Sequence, residues 1–146
     1  MPRVFTQTFT VPPDAIDELR HVNNLKYLAW MQDVAIAHST ARGWPLERYL
    51  RSGAGFVVRS HAIEYRRPAF LGEEIALHTW VAGFGQRSSP RKYLFRRTRD
   101  NQILATAETG WVFVDFRSGQ PRDIPDDLRA AFEVVPPEEE EALLAA

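Results

Sequence analysis

The chain has 146 residues, 45% apolar and 25% charged, which suits one folded domain and excludes a disordered or fibrous protein. Eighteen basic against nineteen acidic side chains leave a formal net charge of −1, so no overall field draws the protein to nucleic acid or anionic lipid. Cysteine is absent, which removes disulfides, thiolate nucleophiles and sulfur-bound metals; with no signal-peptide pattern, a reducing cytoplasm is the expected compartment. No apolar run nears the ~20 residues that cross a bilayer, so no membrane span is expected.

Residues 3–11 alternate apolar and polar side chains and stop at Pro12-Pro13, which predicts a first strand. Residues 14–20 form a polar connection. Asn23 or Asn24 then supplies an N-cap oxygen for a helix over 25–42. Apolar residues spread over more than one side of that helix, which predicts burial around most of its circumference. Gly43 stops it, and residues 44–50 suit a short second helix. Extended segments follow at 56–67, 74–83, 89–99 and 103–116, divided by Pro68, Asp100-Asn101 and Ser118-Gly119 among other turn signals. In the second of them Ile75, Leu77, Thr79 and Val81 alternate with Ala76, His78, Trp80 and Ala82, as a two-faced strand does. A short amphipathic helix is expected over 125–132, and the acidic run after Pro136-Pro137 reads as a solvated tail. One strand, one long helix and an antiparallel meander make an α+β arrangement whose sheet wraps the helix. The expected division is a domain over 1–135 and an acidic C-terminal tail over 136–146.

The residue with the most chemistry to offer is Asp17, just ahead of the long helix. A carboxylate near the positive end of a helix dipole, with unpaired backbone N–H groups beside it, suits acyl transfer. An aspartate there also serves simply as an electrostatic partner of the dipole, so its neighbours decide. Asp17-x-x-x-His21-Val22-Asn23-Asn24-x-x-Tyr27-Leu28 resembles the helix-start motif of hotdog-fold thioesterases, the bacterial acyl-CoA thioester hydrolases in particular and the plant acyl-ACP thioesterases more distantly. The resemblance runs from Val4 to about Phe132. It implies a hotdog fold of about five antiparallel strands around a central helix, and hydrolysis of acyl-CoA thioesters. It further implies Asp17 as nucleophile or general base, with the thioester oxygen at the backbone N–H of Asn24 and Asn23 close by. No cofactor is implied beyond the coenzyme A carried by the substrate. Hotdog domains of this kind pair edge to edge, so a homodimer or homotetramer is expected. His21 is expected to orient Asp17, with polarising the substrate or hydrogen-bonding the loop as its alternatives, the side chains of Asn23 and Asn24 to cap the helix, and Tyr27 to pack the helix beside the acyl pocket.

The chain departs from the plant enzymes, which carry an asparagine two residues before the motif histidine and an acidic residue after Glu-Tyr-Arg-Arg; here Leu19 and Pro68 stand there. Ile63-Glu64-Tyr65-Arg66-Arg67-Pro68 resembles the bacterial acyl-CoA hydrolases instead, with Glu64 expected to pair with a neighbouring arginine. Arg87, Arg91, Lys92, Arg96, Arg97 and Arg99 crowd one hairpin. Arg87 first and Arg91 second are the candidates to meet the phosphates of coenzyme A, against the alternative of a solvated basic strand. The four histidines show no metal-ligand spacing, and no phosphate loop, serine elbow or nucleic-acid motif is present. An acyl-binding hotdog protein without turnover is the alternative to the hydrolase, and a hydratase would need an Asp/His pair placed differently.

Overall fold

The computed structural model describes residues 3–145; Met1, Pro2 and Ala146, inside the expected domain and tail limits, lie outside the described residues. Five strands, β1 (Phe5–Thr10), β2 (Ala54–Tyr65), β3 (Glu74–Val81), β4 (Ser88–Arg97) and β5 (Gln102–Asp115), form one antiparallel sheet in the order β1-β3-β4-β5-β2. Helices α1 (Asn24–Ala41) and α2 (Leu46–Ser52) join β1 to β2. After the meander come α3 (Asp126–Ala131) and α4 (Pro137–Leu144). This is the α+β hotdog arrangement that the helix-start motif implied.

Alternation along the strands sorts side chains onto two faces. On the inner face Ile75, Leu77, Tyr93, Phe95 and Ala105 pack against Tyr27, Met31 and Val34 of α1. Phe5 stacks on His38 at 5.1 Å between ring centroids, and Phe9 meets Trp30 at 4.7 Å, which ties the first strand to the helix. Gly43 at φ 87° takes the left-handed conformation that ends α1, as its position predicted. The expected burial around most of α1 is corrected: Tyr27, Met31, Val34, Ala35 and His38 are buried, while Leu25 and Ile36 are exposed on the opposite flank.

The inner face also holds a polar group. Arg91 Nη1 donates to His38 Nδ1 at 2.9 Å and to Thr79 Oγ1 at 3.1 Å, all three residues being buried. Arginine can only donate, so His38 is neutral with its proton on Nε2. Burial first, then the charges of Arg91 and Arg42, hold the His38 pKa down at about 3.

The outer face carries the second correction. The acidic run read as a solvated tail is helical over Pro137–Leu144 and docked on β3 and β4. Glu140 accepts from Trp80 Nε1 at 3.0 Å and pairs with Lys92, while Arg96 Nη2 donates to the Leu143 carbonyl at 2.7 Å. Leu143 and Leu144 pack by the buried Trp80, Leu94, Ile103 and Val135. Outward cations at 92 and 96, two strand repeats apart, draw the acidic segment onto an apolar patch that needs covering.

Glu140→Ala would leave the Trp80 N–H without its acceptor and the Lys92 ammonium with only the more distant Glu108 at 3.9 Å. The expected loss is about 1–3 kcal/mol in urea unfolding, less for Glu140→Gln, whose amide oxygen still accepts from the indole. His38 gives a pH dependence. Its folded pKa of about 3 lies below the usual 6.5, so the unfolded chain binds the proton first and stability falls as pH drops from 6.5 towards 3. Urea midpoints measured across that interval should fall less steeply for His38→Gln.

Candidate active site

The segment before α1 is a tight, hydrogen-bonded loop. A bridge between Ile16 and Val22 closes it, the Asp17 N–H donates to the His21 carbonyl at 2.9 Å, and the Arg20 N–H donates to the Asp17 carbonyl at 3.0 Å. Arg20 turns the chain at φ 65°, in the left-handed region that non-glycine residues seldom enter. The Val22 N–H reaches the Ala69 carbonyl and the Asn23 N–H the Ala15 carbonyl, at 2.9 and 2.8 Å, so the loop is pinned on both sides.

Within it the half-buried Asp17 carboxylate accepts through Oδ1 from the N–H groups of Leu19 at 2.9 Å and His21 at 3.4 Å. This is the local side-chain to backbone closure that aspartate favours in turns. Asp17 shares an open surface depression with Ile16, Glu18, Leu19 and Asn23. Asn23 caps α1, its Oδ1 accepting from the Leu25 N–H at 2.9 Å, while its carbonyl accepts from the Lys26 N–H. Among these bonds at the helix start the Asn24 N–H has no acceptor, which leaves it an oriented donor at the positive end of the dipole. A carboxylate and a free N–H at one helix start can act on a polarised carbonyl from two sides.

The other sequence candidates fall in different places. The Asn23 N–H is committed to Ala15, so it is not a second free donor. The contact between His21 and Asp17 runs through the backbone, and the His21 ring packs edge-on against Phe70 at 5.3 Å rather than holding the carboxylate. Tyr27 lies in the core against Trp30, Tyr65 and Phe95, and burial lifts its pKa to about 12. Glu64 pairs with Arg66 at 3.0 Å, as expected. The basic hairpin is largely neutralised within the chain: Arg97 and Arg99 bind Glu73, Lys92 binds Glu140, and the exposed Arg87 binds Asp123 at 2.9 Å. Arg91 differs in direction. It points under the sheet, away from any solvated nucleotide, which corrects its expected role at coenzyme A phosphates.

Arg91 lines a cavity of about 320 Å³ that sequence reasoning missed. Aromatic side chains of Trp44, Tyr49, Phe56, Phe84 and Trp111 make most of its wall, and the exposed Ile36, Leu46 and Phe116 flank it. Strand parity was the available signal, since residue 91 shares a face with Tyr93 and Phe95. Ala35, on the wall, lies eleven residues along α1 from Asn24, so the cavity is about 16 Å from the helix start along the axis.

Residues 11–132 match the family described as the thioesterase-like superfamily. The long-chain acyl-CoA thioesterase FadM of Escherichia coli (strain K12) is 23% identical over 121 residues, covering 81% of this chain and 89% of its own. A chloroplastic acyl-[acyl-carrier-protein] hydrolase of Cuphea viscosissima is 25% identical over 137 residues, 89% of this chain. The chain spans about a third of the length of that and the other first-ranking plant relatives. In fold it is similar to a 1,4-dihydroxy-2-naphthoyl-CoA thioesterase from Synechocystis, with a TM-score of 0.81 and 16% identity over 88% of this chain and 94% of that one. With five antiparallel strands wrapped on α1 and the match running through both the Asp17 loop and the sheet, the chain belongs to the thioesterase-like superfamily.

Proposed function

We propose that the protein hydrolyses acyl-CoA thioesters at the start of α1. Asp17 attacks the carbonyl carbon or draws the proton from an attacking water, and the Asn24 N–H donates to the oxyanion that develops. The carbon–sulfur bond then breaks, and the thiolate leaves and is protonated; where Asp17 has attacked, water then cleaves the acyl–aspartyl anhydride, so either route ends in the free acid and a restored carboxylate. The observation that carries this reading is the half-buried Asp17 carboxylate on an open depression shared with the N-cap Asn23, next in the chain to the uncommitted Asn24 N–H. FadM, by name a long-chain acyl-CoA thioesterase and matched over most of its length, favours coenzyme A over a carrier protein as the thiol. Arg87 is the surface cation for the nucleotide phosphates, exchanging Asp123 for phosphate.

The working unit in this proposal is a homodimer joined through β2. That strand ends the sheet, and its residues 57–62 are exposed, Val57 and Val58 among them. A long strand edge with unpaired backbone groups and two exposed valines needs cover. Tyr65 at one end of β2 touches the start of α1 through Tyr27 and the Asn24 carbonyl, and Phe56 at the other end lines the Arg91 cavity. Antiparallel pairing of two β2 strands about a two-fold axis therefore sets one protomer's Asp17 loop towards its partner's cavity.

Asp17→Asn tests the chemistry with little cost to the loop, because an amide oxygen accepts the same two N–H bonds. Thiol release from acyl-CoA and acyl-carrier-protein thioesters of short to long chain is expected to fall at least ~100-fold, with far-UV circular dichroism unchanged. Wild type that binds these thioesters and releases no thiol from any of them would sink the hydrolase reading in favour of acyl binding without turnover.

A further inference from the structure

The Arg91 cavity combines two properties that conflict unless something fills it. Arg91 carries a permanent cation on a residue that is only 6% exposed. Cations held that far from water are ordinarily matched by an anion. On the same hairpin Lys92, Arg97 and Arg99 each meet a carboxylate, although all are less enclosed. Arg91 meets none among the described residues: its partners are His38, Thr79 and, at 5.9 Å, the Phe132 ring. Neutral His38 supplies no countercharge. Both bonds leave from Nη1, so the Nε and Nη2 edge of the fork remains for an outside acceptor. Besides His38, the titratable groups whose charge would act on Arg91, Tyr93 and Tyr49, are uncharged phenols whose pKa values burial raises further.

We propose that this cavity binds a small organic acid, with the carboxylate paired to Nε and Nη2 of Arg91 and an apolar chain or ring against the aromatic wall. Carboxylate fits the planar fork in a bidentate pair, and the apolar body covers surface that a hydrated inorganic anion would leave open. Two sources carry this chemistry: a free carboxylic acid, and the far-end carboxylate of a thioester whose acyl group comes from a dicarboxylic acid. Binding of the free acid stands apart from whether Asp17 cleaves thioesters.

Trp44 and Trp111 on the wall make the full-length protein its own fluorescent reporter. Octanoate is expected to bind at least ~10-fold tighter than octanamide, its neutral counterpart, and inorganic phosphate not to compete. Arg91→Gln should erase the preference, and Arg91→Lys should keep part of it, with charge but no fork. Equal affinity for octanoate and octanamide in wild type, displacement of octanoate by phosphate, or an undiminished preference in folded Arg91→Gln would overturn the proposal. Should Arg91→Gln fail to fold by circular dichroism, the wild-type comparison and Arg91→Lys decide. Hydrolysis of suberoyl-CoA against octanoyl-CoA separates the sources. A kcat/KM preference for suberoyl-CoA that Arg91→Gln removes identifies the far-end carboxylate, and no preference identifies the free acid. Arg91-dependent octanoate binding in a protein that cleaves none of the acyl-CoA and acyl-carrier-protein thioesters would defeat the proposed function and leave this site standing.

Discussion

The seating of α1 on the inner face of the sheet is the constraint from which the rest follows. Tyr27, Met31 and Val34 bury one flank of the helix against β3, β4 and β5, and Phe5 and Phe9 lock β1 to it through His38 and Trp30. A helix held this way has its start fixed to within the tolerance of a packed core. Asn23 caps it, the Ile16–Val22 bridge closes the loop ahead of it, and Asp17 is placed by that closure rather than by any partner for its charge. Chemistry at a helix start gains from such rigidity because the donor needs no reorganisation as charge develops.

The same helix has a different environment at each end. Near its start the neighbours are backbone groups and an open depression; near its finish they are aromatic rings, a neutral histidine and a buried guanidinium. A polar corner and an apolar space are thus separated within one chain, and the proposed pairing of two β2 edges sets one protomer's corner towards its partner's space. Division of labour along a single helix lets one be altered without unseating the other.

Much of this was legible in the residues. Pro12-Pro13, Gly43, Pro68 and Asp100-Asn101 stop elements where backbone geometry demands it, and the alternation in β3 matches the two observed faces. Asp17 and the Asn23 cap were readable because local hydrogen bonds need only local sequence. Side-chain direction on β4 was equally available in its parity, yet a cluster of six cations invites a reading by composition, and composition cannot tell Arg91 from Lys92. The His21 ring was misjudged because its partner, Phe70, lies far along the chain. Glu138 to Glu141 looked solvated for a related reason: what anchors Glu140 is Trp80 and Lys92, and nothing within the segment announces them.

Helix α4 has one further effect on the molecule. By lying over the outer face of β3 and β4, it closes that face to contact with a second sheet. For the homodimer proposed above, the flank of α1 where Leu25 and Ile36 stand out from the surface is an apolar face left for further association.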